Sequence, residues 1–109
     1  MDRVVDLASD VRREVADYVR GGDYKAASYF LENAEHHIYA MITIPDFDHP
    51  LLKKPQFVLI ARILNEHVII DVDITDRPLF EELMRCGIPR EQIVQAYAGE
   101  QYPPAESEK

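Results

Sequence analysis

The chain has 109 residues, a formal net charge of −8, four histidines and one cysteine. That length fits one domain, able to bury roughly two-thirds of the surface its unfolded chain exposes, so a core can form without disulfide or metal. The acidity argues against a surface that grips a phosphate backbone: the 12 basic residues are scattered, with Arg12-Arg13 and Lys53-Lys54 the only doublets.

The N-terminal segment predicts a helix. Asp2 is placed to cap it, and Val4, Ala8, Val11, Val15 and Tyr18 recur at helical spacing on one face. Asp6, Asp10, Arg13, Asp17 and Arg20 mark the opposite face, with Arg13 and Asp17 one turn apart. Gly21-Gly22 is the expected stop. Lys25 to Glu32 then reads as a strand, Asn33-Ala34-Glu35 as a hairpin turn, and His37 to Ile44 as a second strand. The segment Pro45 to Pro55 holds three prolines, which cannot donate ladder hydrogen bonds, and is expected to be a loop. Gln56 to Leu64 is a third strand, turned by Asn65-Glu66-His67 into a fourth that alternates Val68, Ile70, Val72, Ile74.

A central helix follows. Thr75 and Asp76 can cap it, Pro78 suits its first turn, and Leu79, Phe80, Leu83 and Met84 give its apolar face. Gly87 ends it, with Ile88 expected to pack back on Leu83 or Met84. Pro89 to Gln92 has room for one more turn, and Ile93 to Tyr97 returns as an extended segment. The predicted fold is α+β: an N-terminal helix, a four-stranded, mainly antiparallel sheet with room for a short fifth strand, and one further central helix. Residues 1–102 form the single domain, and 103–109 a flexible acidic tail.

The third strand is apolar on both sides. Phe57, Leu59, Ala61 and Ile63 line one face, and Val58, Ile60 and Leu64 the other, interrupted only by Arg62. An antiparallel sheet with one wet face should alternate apolar with polar. Two helices cover one face of such a sheet, so the second is expected to be covered by another molecule or by the chain's own loop and tail. Val58, Ile60 and Arg62, with Tyr39 and Met41 of the second strand, are the candidate interaction surface, and a homodimer is the expected assembly.

Catalytic chemistry is hard to place. His36, His37, His49 and His67 lie in turns, loops or on opposite strand faces and make no zinc box. Ser9, Ser28 and Thr43 lack a partner base, and Cys86 sits near a helix C-terminus, where the dipole disfavours a thiolate. The best acidic set is Asp71, Asp73 and Asp76, the first two of which should share a strand face and could hold Mg²⁺. The simpler assignment is that Asp73 and Thr75 bond to backbone at the strand–helix junction while Asp71 is solvated. No enzyme, metal or cofactor is expected. No apolar run reaches the ~18 residues of a membrane span, no signal peptide is visible behind Met1-Asp2-Arg3, and the lone cysteine suits the cytoplasm.

One stretch resembles a known family. Asp73-Ile74-Thr75-Asp76, followed by Leu83-Met84-Arg85-Cys86-Gly87-Ile88-Pro89-Arg90-Glu91-Gln92-Ile93-Val94-Gln95-Ala96-Tyr97, is similar to the XisI family of fdxN-element excision controlling factors. That family carries a D-G-T-E-like junction, a helix, then L-x-x-x-G-[VI]-P-[KR]-x-[DE]-I-V-x-[AG]-[FY]. The matching positions here are Asp73, Thr75, Asp76, Leu83, Gly87, Ile88, Pro89, Ile93, Val94 and Tyr97. Ile74 replaces the junction glycine, Ala98-Gly99-Glu100 replaces the family's closing H-x-P with its following basic residue, and the Pro45–Pro55 loop is longer. The resemblance implies a non-catalytic accessory role in DNA element excision during heterocyst differentiation, alongside an endonuclease-like XisH-type or recombinase-like partner. Two alternatives stand beside it: a direct DNA-binding excision factor, disfavoured by the charge of −8, and a small metal- or ligand-binding module built on Asp71, Asp73 and Asp76.

Overall fold

A computed structural model describes residues 3–19 and 25–102, with side chains from residue 6 onward. The Asp2 cap, the Val4 side chain, Arg20, the Gly21-Gly22 stop and the 103–109 tail lie outside the described residues.

The apolar spacing of the first segment becomes α1, Arg3–Asp17. Its stripe buries Leu7, Val11 and Val15, with Ala8, Tyr18 and Val19 packed beside them. The predicted Arg13–Asp17 pair does not form. Arg13 turns to Asp10 at 3.0 Å and to Glu14 at 3.5 Å. Asp17 instead lies 3.9 Å from Arg77, whose guanidinium stacks 4.1 Å over the Tyr18 ring.

Five strands follow: β1 Ala26–Asn33, β2 Ile38–Pro45, β3 Gln56–Leu64, β4 His67–Asp73 and β5 Ile93–Gln95. They lie side by side in sequence order. The first four are antiparallel hairpin neighbours. The fifth takes the place left for a short fifth strand: it is a full member of the sheet and runs parallel to β4, pairing Val68 with Ile93 and Ile70 with Gln95. A parallel neighbour needs a crossover, and α2, Leu79–Arg85, with a single 3-10 turn at Arg90–Gln92, supplies it. The β3–β4 turn is tighter than expected. Only Asn65 and Glu66 form it, both at positive φ (50° and 67°), the geometry of a two-residue hairpin.

Two irregularities reset which side chains share a face. Val58 is an extra residue between the Met41–Leu59 and Ile42–Phe57 pairs. Asp71 is another, between Ile60–Val72 and Ala61–Ile70. Each such bulge breaks the two-residue alternation of its strand. One sheet face, made of Tyr39, Met41, Leu59, Ala61, Ile63, Val68, Ile70 and Ile93, packs against Leu7, Val11 and Val15 of α1 and Leu79 and Leu83 of α2. Burying each leucine, isoleucine or valine there contributes about 1.5–3 kcal/mol.

The other face is divided. Ile69 and Val94 are buried, yet belong to no part of the helix-side core. The chain after β5 folds back over this end. Ala96–Ala98 makes a 3-10 turn against β4, and the Tyr102 ring meets His67 edge-on while its hydroxyl donates to the Leu64 carbonyl (3.4 Å). Over β1 to β3 nothing among the described residues does the same. Tyr29 (50% exposed), Leu31 (43%), Ile44 (40%) and Phe57 (43%) stay open. The chain's own segment after β5 thus covers one end of this face, while the other end is apolar and exposed among the described residues.

Candidate functional site

The strand–helix corner is built around Asp73. Its partner across the ladder is Leu59, so its side chain points to the helix layer. Oδ1 accepts the Thr75 backbone N–H at 3.0 Å and lies 2.6 Å from Thr75 Oγ1; Oδ2 accepts the Leu79 N–H at 2.8 Å. The Thr75 oxygen is also 2.9 Å from the Arg77 carbonyl. Its single proton is best spent on the carboxylate, since a charged acceptor makes the stronger bond. The cap of α2 therefore comes from Asp73, six residues upstream, and corrects the assignment to Thr75 and Asp76. Pro78, at the formal cap position, offers no side-chain acceptor. Tyr18 closes the corner by donating its hydroxyl to the Arg77 carbonyl, and burial pushes its phenol pKa well above the usual range.

The three aspartates do not converge. Asp71, displaced by its bulge, faces away from the helices and receives Arg62, with Nε 2.7 Å from Oδ2 and Nη2 3.3 Å from Oδ1. That hydrogen bond holds the Arg62 pKa above its ordinary value. Asp73 lies on the opposite face, both oxygens taken, and Asp76 is exposed. The expected shared face of Asp71 and Asp73 is thus overturned by one extra residue. Among the described residues, no group of three acidic, histidine or cysteine side chains is disposed to hold a metal ion.

The candidate interaction surface is also redistributed. Tyr39 pairs with Ala61 and Met41 with Leu59, so both point to α1 and are buried. Val58, the bulged residue, packs against the same core. Ile60 and Arg62 remain on the open side, joined by Tyr29, Leu31, Ile42, Ile44 and Phe57. Antiparallel partners share a face, so the Ile38-Ala40-Ile42-Ile44 set of β2, not its Tyr39-Met41-Thr43 set, belongs with Ile60.

The exit of α2 forms as the Gly87-Ile88 pattern predicts. Gly87 takes φ 102°, its N–H donates to the Met84 carbonyl (3.0 Å), and Ile88 N–H reaches the Leu83 carbonyl (3.1 Å). This pair of bonds is the Schellman stop. Cys86 is exposed, its Sγ 3.0 Å from Glu14 Oε2; burial first, then that carboxylate, push its thiol pKa up. His49 does local work in the proline loop, where its Nδ1 accepts the N–H groups of Leu51 (3.1 Å) and Leu52 (2.8 Å).

A further hook was not visible in the sequence pattern. After β5, Glu100 Oε1 accepts the Gln95 N–H at 2.9 Å, its other oxygen binds Arg90, and Arg90 Nη1 donates 2.7 Å to the Ile93 carbonyl. Gly99 makes the bend at φ 96°. The Gln95 amide, then Arg90, hold the Glu100 pKa below its ordinary value. This hook flanks a cleft of about 520 Å³ that is also lined by Glu91, Val94 and Gln101. Opposite charges on either side of a short strand, with a glycine before the second, were the only signal for it.

Compared with known proteins, residues 1–105 match the family described as XisI protein. The chain belongs to the XisI family. Two solved structures share the XisI fold with it. One is a XisI-like protein from Anabaena variabilis, with 22% identity, TM-score 0.74 and 84% of each chain covered. The other is the fdxN element excision controlling factor XisI from Anabaena variabilis, with 15% identity, TM-score 0.72, and 88% of this chain and 93% of that one covered. No curated protein matches at a significant level. Within the XisI motif, Asp73 and Thr75 fix the entry to α2, Leu83, Gly87 and Ile88 fix its exit, and Ile93 and Val94 form β5.

Proposed function

We propose that this XisI-family protein is a non-catalytic accessory factor in the excision of a DNA element, and that it acts by binding a nuclease- or recombinase-like protein of the XisH type. The observation that carries this reading is the family match over residues 1–105, together with the excision-controlling role named for one fold relative. The surface supports it. An acidic chain of net charge −8 suits protein contact better than phosphate contact. Its open sheet face presents Tyr29, Leu31, Ile44 and Phe57 to solvent, a patch of the kind that marks protein interaction sites.

The test is co-expression with a XisH-type protein encoded beside it, followed by co-purification. A stable complex that Phe57→Glu abolishes, with the variant still folded by circular dichroism, is the expected result. Failure to form any complex overturns the reading. A gel shift by this chain alone, steeply weakened by salt, points instead to direct DNA binding through counterion release.

A further inference from the structure

The two edges of the sheet are treated differently. In β5 every outward backbone group is used within the chain. Ile93 N–H donates to the Arg90 carbonyl, Ile93 O accepts Arg90 Nη1, Gln95 N–H meets Glu100 Oε1, and Gln95 O accepts the Glu100 N–H at 3.2 Å. Sealing an edge in this way prevents another strand from adding to it.

β1 carries none of these protections. Its eight residues pair with β2 without a bulge, and it contains no proline and no lysine. The bond from Asp46 N–H to the Lys25 carbonyl (2.7 Å) sets the phase of the ladder. Antiparallel pairs alternate between bonded and non-bonded, so Ala27, Tyr29, Leu31 and Asn33 bond to β2. Ala26, Ser28, Phe30 and Glu32 turn their N–H and C=O groups outward. Among the described residues no backbone or side-chain group pairs with them.

We propose that two copies of this chain pair β1 against β1 in antiparallel register about a two-fold axis at Tyr29, making one continuous ten-stranded sheet. Only a register centred on Tyr29 pairs every outward group from Ala26 to Glu32. Ala26 meets Glu32 of the second copy, and Ser28 meets Phe30. Tyr29 then faces its own copy, and Leu31 faces Ala27, all on the open apolar side. Charge selects the same strip. The molecule carries −8, so two copies repel over most of their surfaces. β1 holds one charged residue, Glu32, and Arg12 bridges it at 3.1 Å. In this register the two Glu32 residues lie about 20 Å apart along the strand, well beyond the ~8 Å screening length at physiological salt. The pairing consumes the strand edge and leaves the apolar faces of both copies side by side. It goes beyond the accessory-factor reading and does not depend on it.

Two measurements decide it. Sedimentation of the full chain at micromolar concentration is expected to give twice the chain mass; a strict monomer overturns the proposal. Tyr29→Cys combined with Cys86→Ser is expected to cross-link on oxidation, because a non-bonded antiparallel pair brings Cα atoms to about 4.5 Å, within disulfide reach. A dimer that persists without cross-linking overturns the β1 pairing. Ser28→Pro removes one outward N–H and leaves the β1–β2 ladder intact. It is expected to return the protein to monomer, and a Ser28→Pro dimer as tight as wild type overturns the pairing. Should that variant not fold, the cross-link decides alone. Neither result bears on capture of a nuclease-like partner, which Phe57→Glu reads separately.

Discussion

Replacing Asp73 with alanine removes the acceptor for the Thr75 amide, the Thr75 hydroxyl and the first amide of α2 together. Hydrogen bonds to a charged group contribute about 1.5–3 kcal/mol each, and loss of a helix cap costs about 0.5–2 kcal/mol. These do not add fully, because Asp73 is half-buried and water reaches part of the vacated site. The expected loss is about 2–4 kcal/mol for Asp73→Ala, and about 1–2 kcal/mol for Asp73→Asn, which keeps one oxygen acceptor but loses its charge. At about 4 °C per kcal/mol for a domain of this size, the alanine variant melts about 8–16 °C below wild type. Urea unfolding followed by circular dichroism reads the free energy, and an unchanged slope shows that the same surface still unfolds. A loss below about 0.5 kcal/mol, the range of an ordinary surface change, refutes the cap. Millimolar Mg²⁺ that raises the wild-type melting temperature but not that of Asp73→Ala refutes it too, and assigns the carboxylate to a metal.

Gly87→Ala should cost about 1–2 kcal/mol: φ is 102° and an added Cβ meets nothing within 4 Å, so the whole penalty is backbone, and thermal melts measure it. Leu59→Ala, at a fully buried position in the middle of β3, should cost about 2–5 kcal/mol in urea unfolding. Glu100→Gln tests the C-terminal hook through pH. The folded Glu100 pKa is depressed below an unfolded value of about 4.3, so its stabilisation is complete above that pH and lost as pH falls through the folded value. Wild type should therefore exceed Glu100→Gln in stability at neutral pH, and the gap should close on acidification below about pH 4. A gap that is constant with pH contradicts the assignment.

Local chemistry explains what was legible in the residues. Gly87-Ile88 announces a helix stop because glycine tolerates positive φ and the following apolar residue has a core to reach; the structure uses both. The apolar residues on both sides of β3 split as bulk chemistry allows: Leu59, Ala61 and Ile63 meet the helices, while Phe57 and Ile60 stay on the open side. Bulges defeated the finer assignments. Nothing in the types of Val58 or Asp71 marks them as extra residues, yet each shifts its neighbours by one face. The alternation rule consequently placed Asp71 with Asp73 and Val58 with Ile60. Tyr39 and Met41 were misplaced for another reason: both faces of β2 are apolar, so periodicity alone cannot say which one meets α1. The Asp73 cap was partly visible as a junction aspartate, but its bond to Leu79 spans a loop whose path no pattern specifies.

The parallel pairing of β5 has a consequence for how the chain is made. β4 is complete well before β5 exists, and it carries Val68, Ile69 and Ile70 in a row, all buried in the finished fold. A chain in which β5 has not yet docked has three hairpin-joined pairs formed and this apolar strand unpaired on one side, the kind of intermediate that associates with its neighbours. The last short strand and the Arg90–Glu100 clasp end that exposure. Lesions in the clasp should accordingly appear first as lost soluble yield during synthesis, and only second as a lower melting temperature of the molecules that escape.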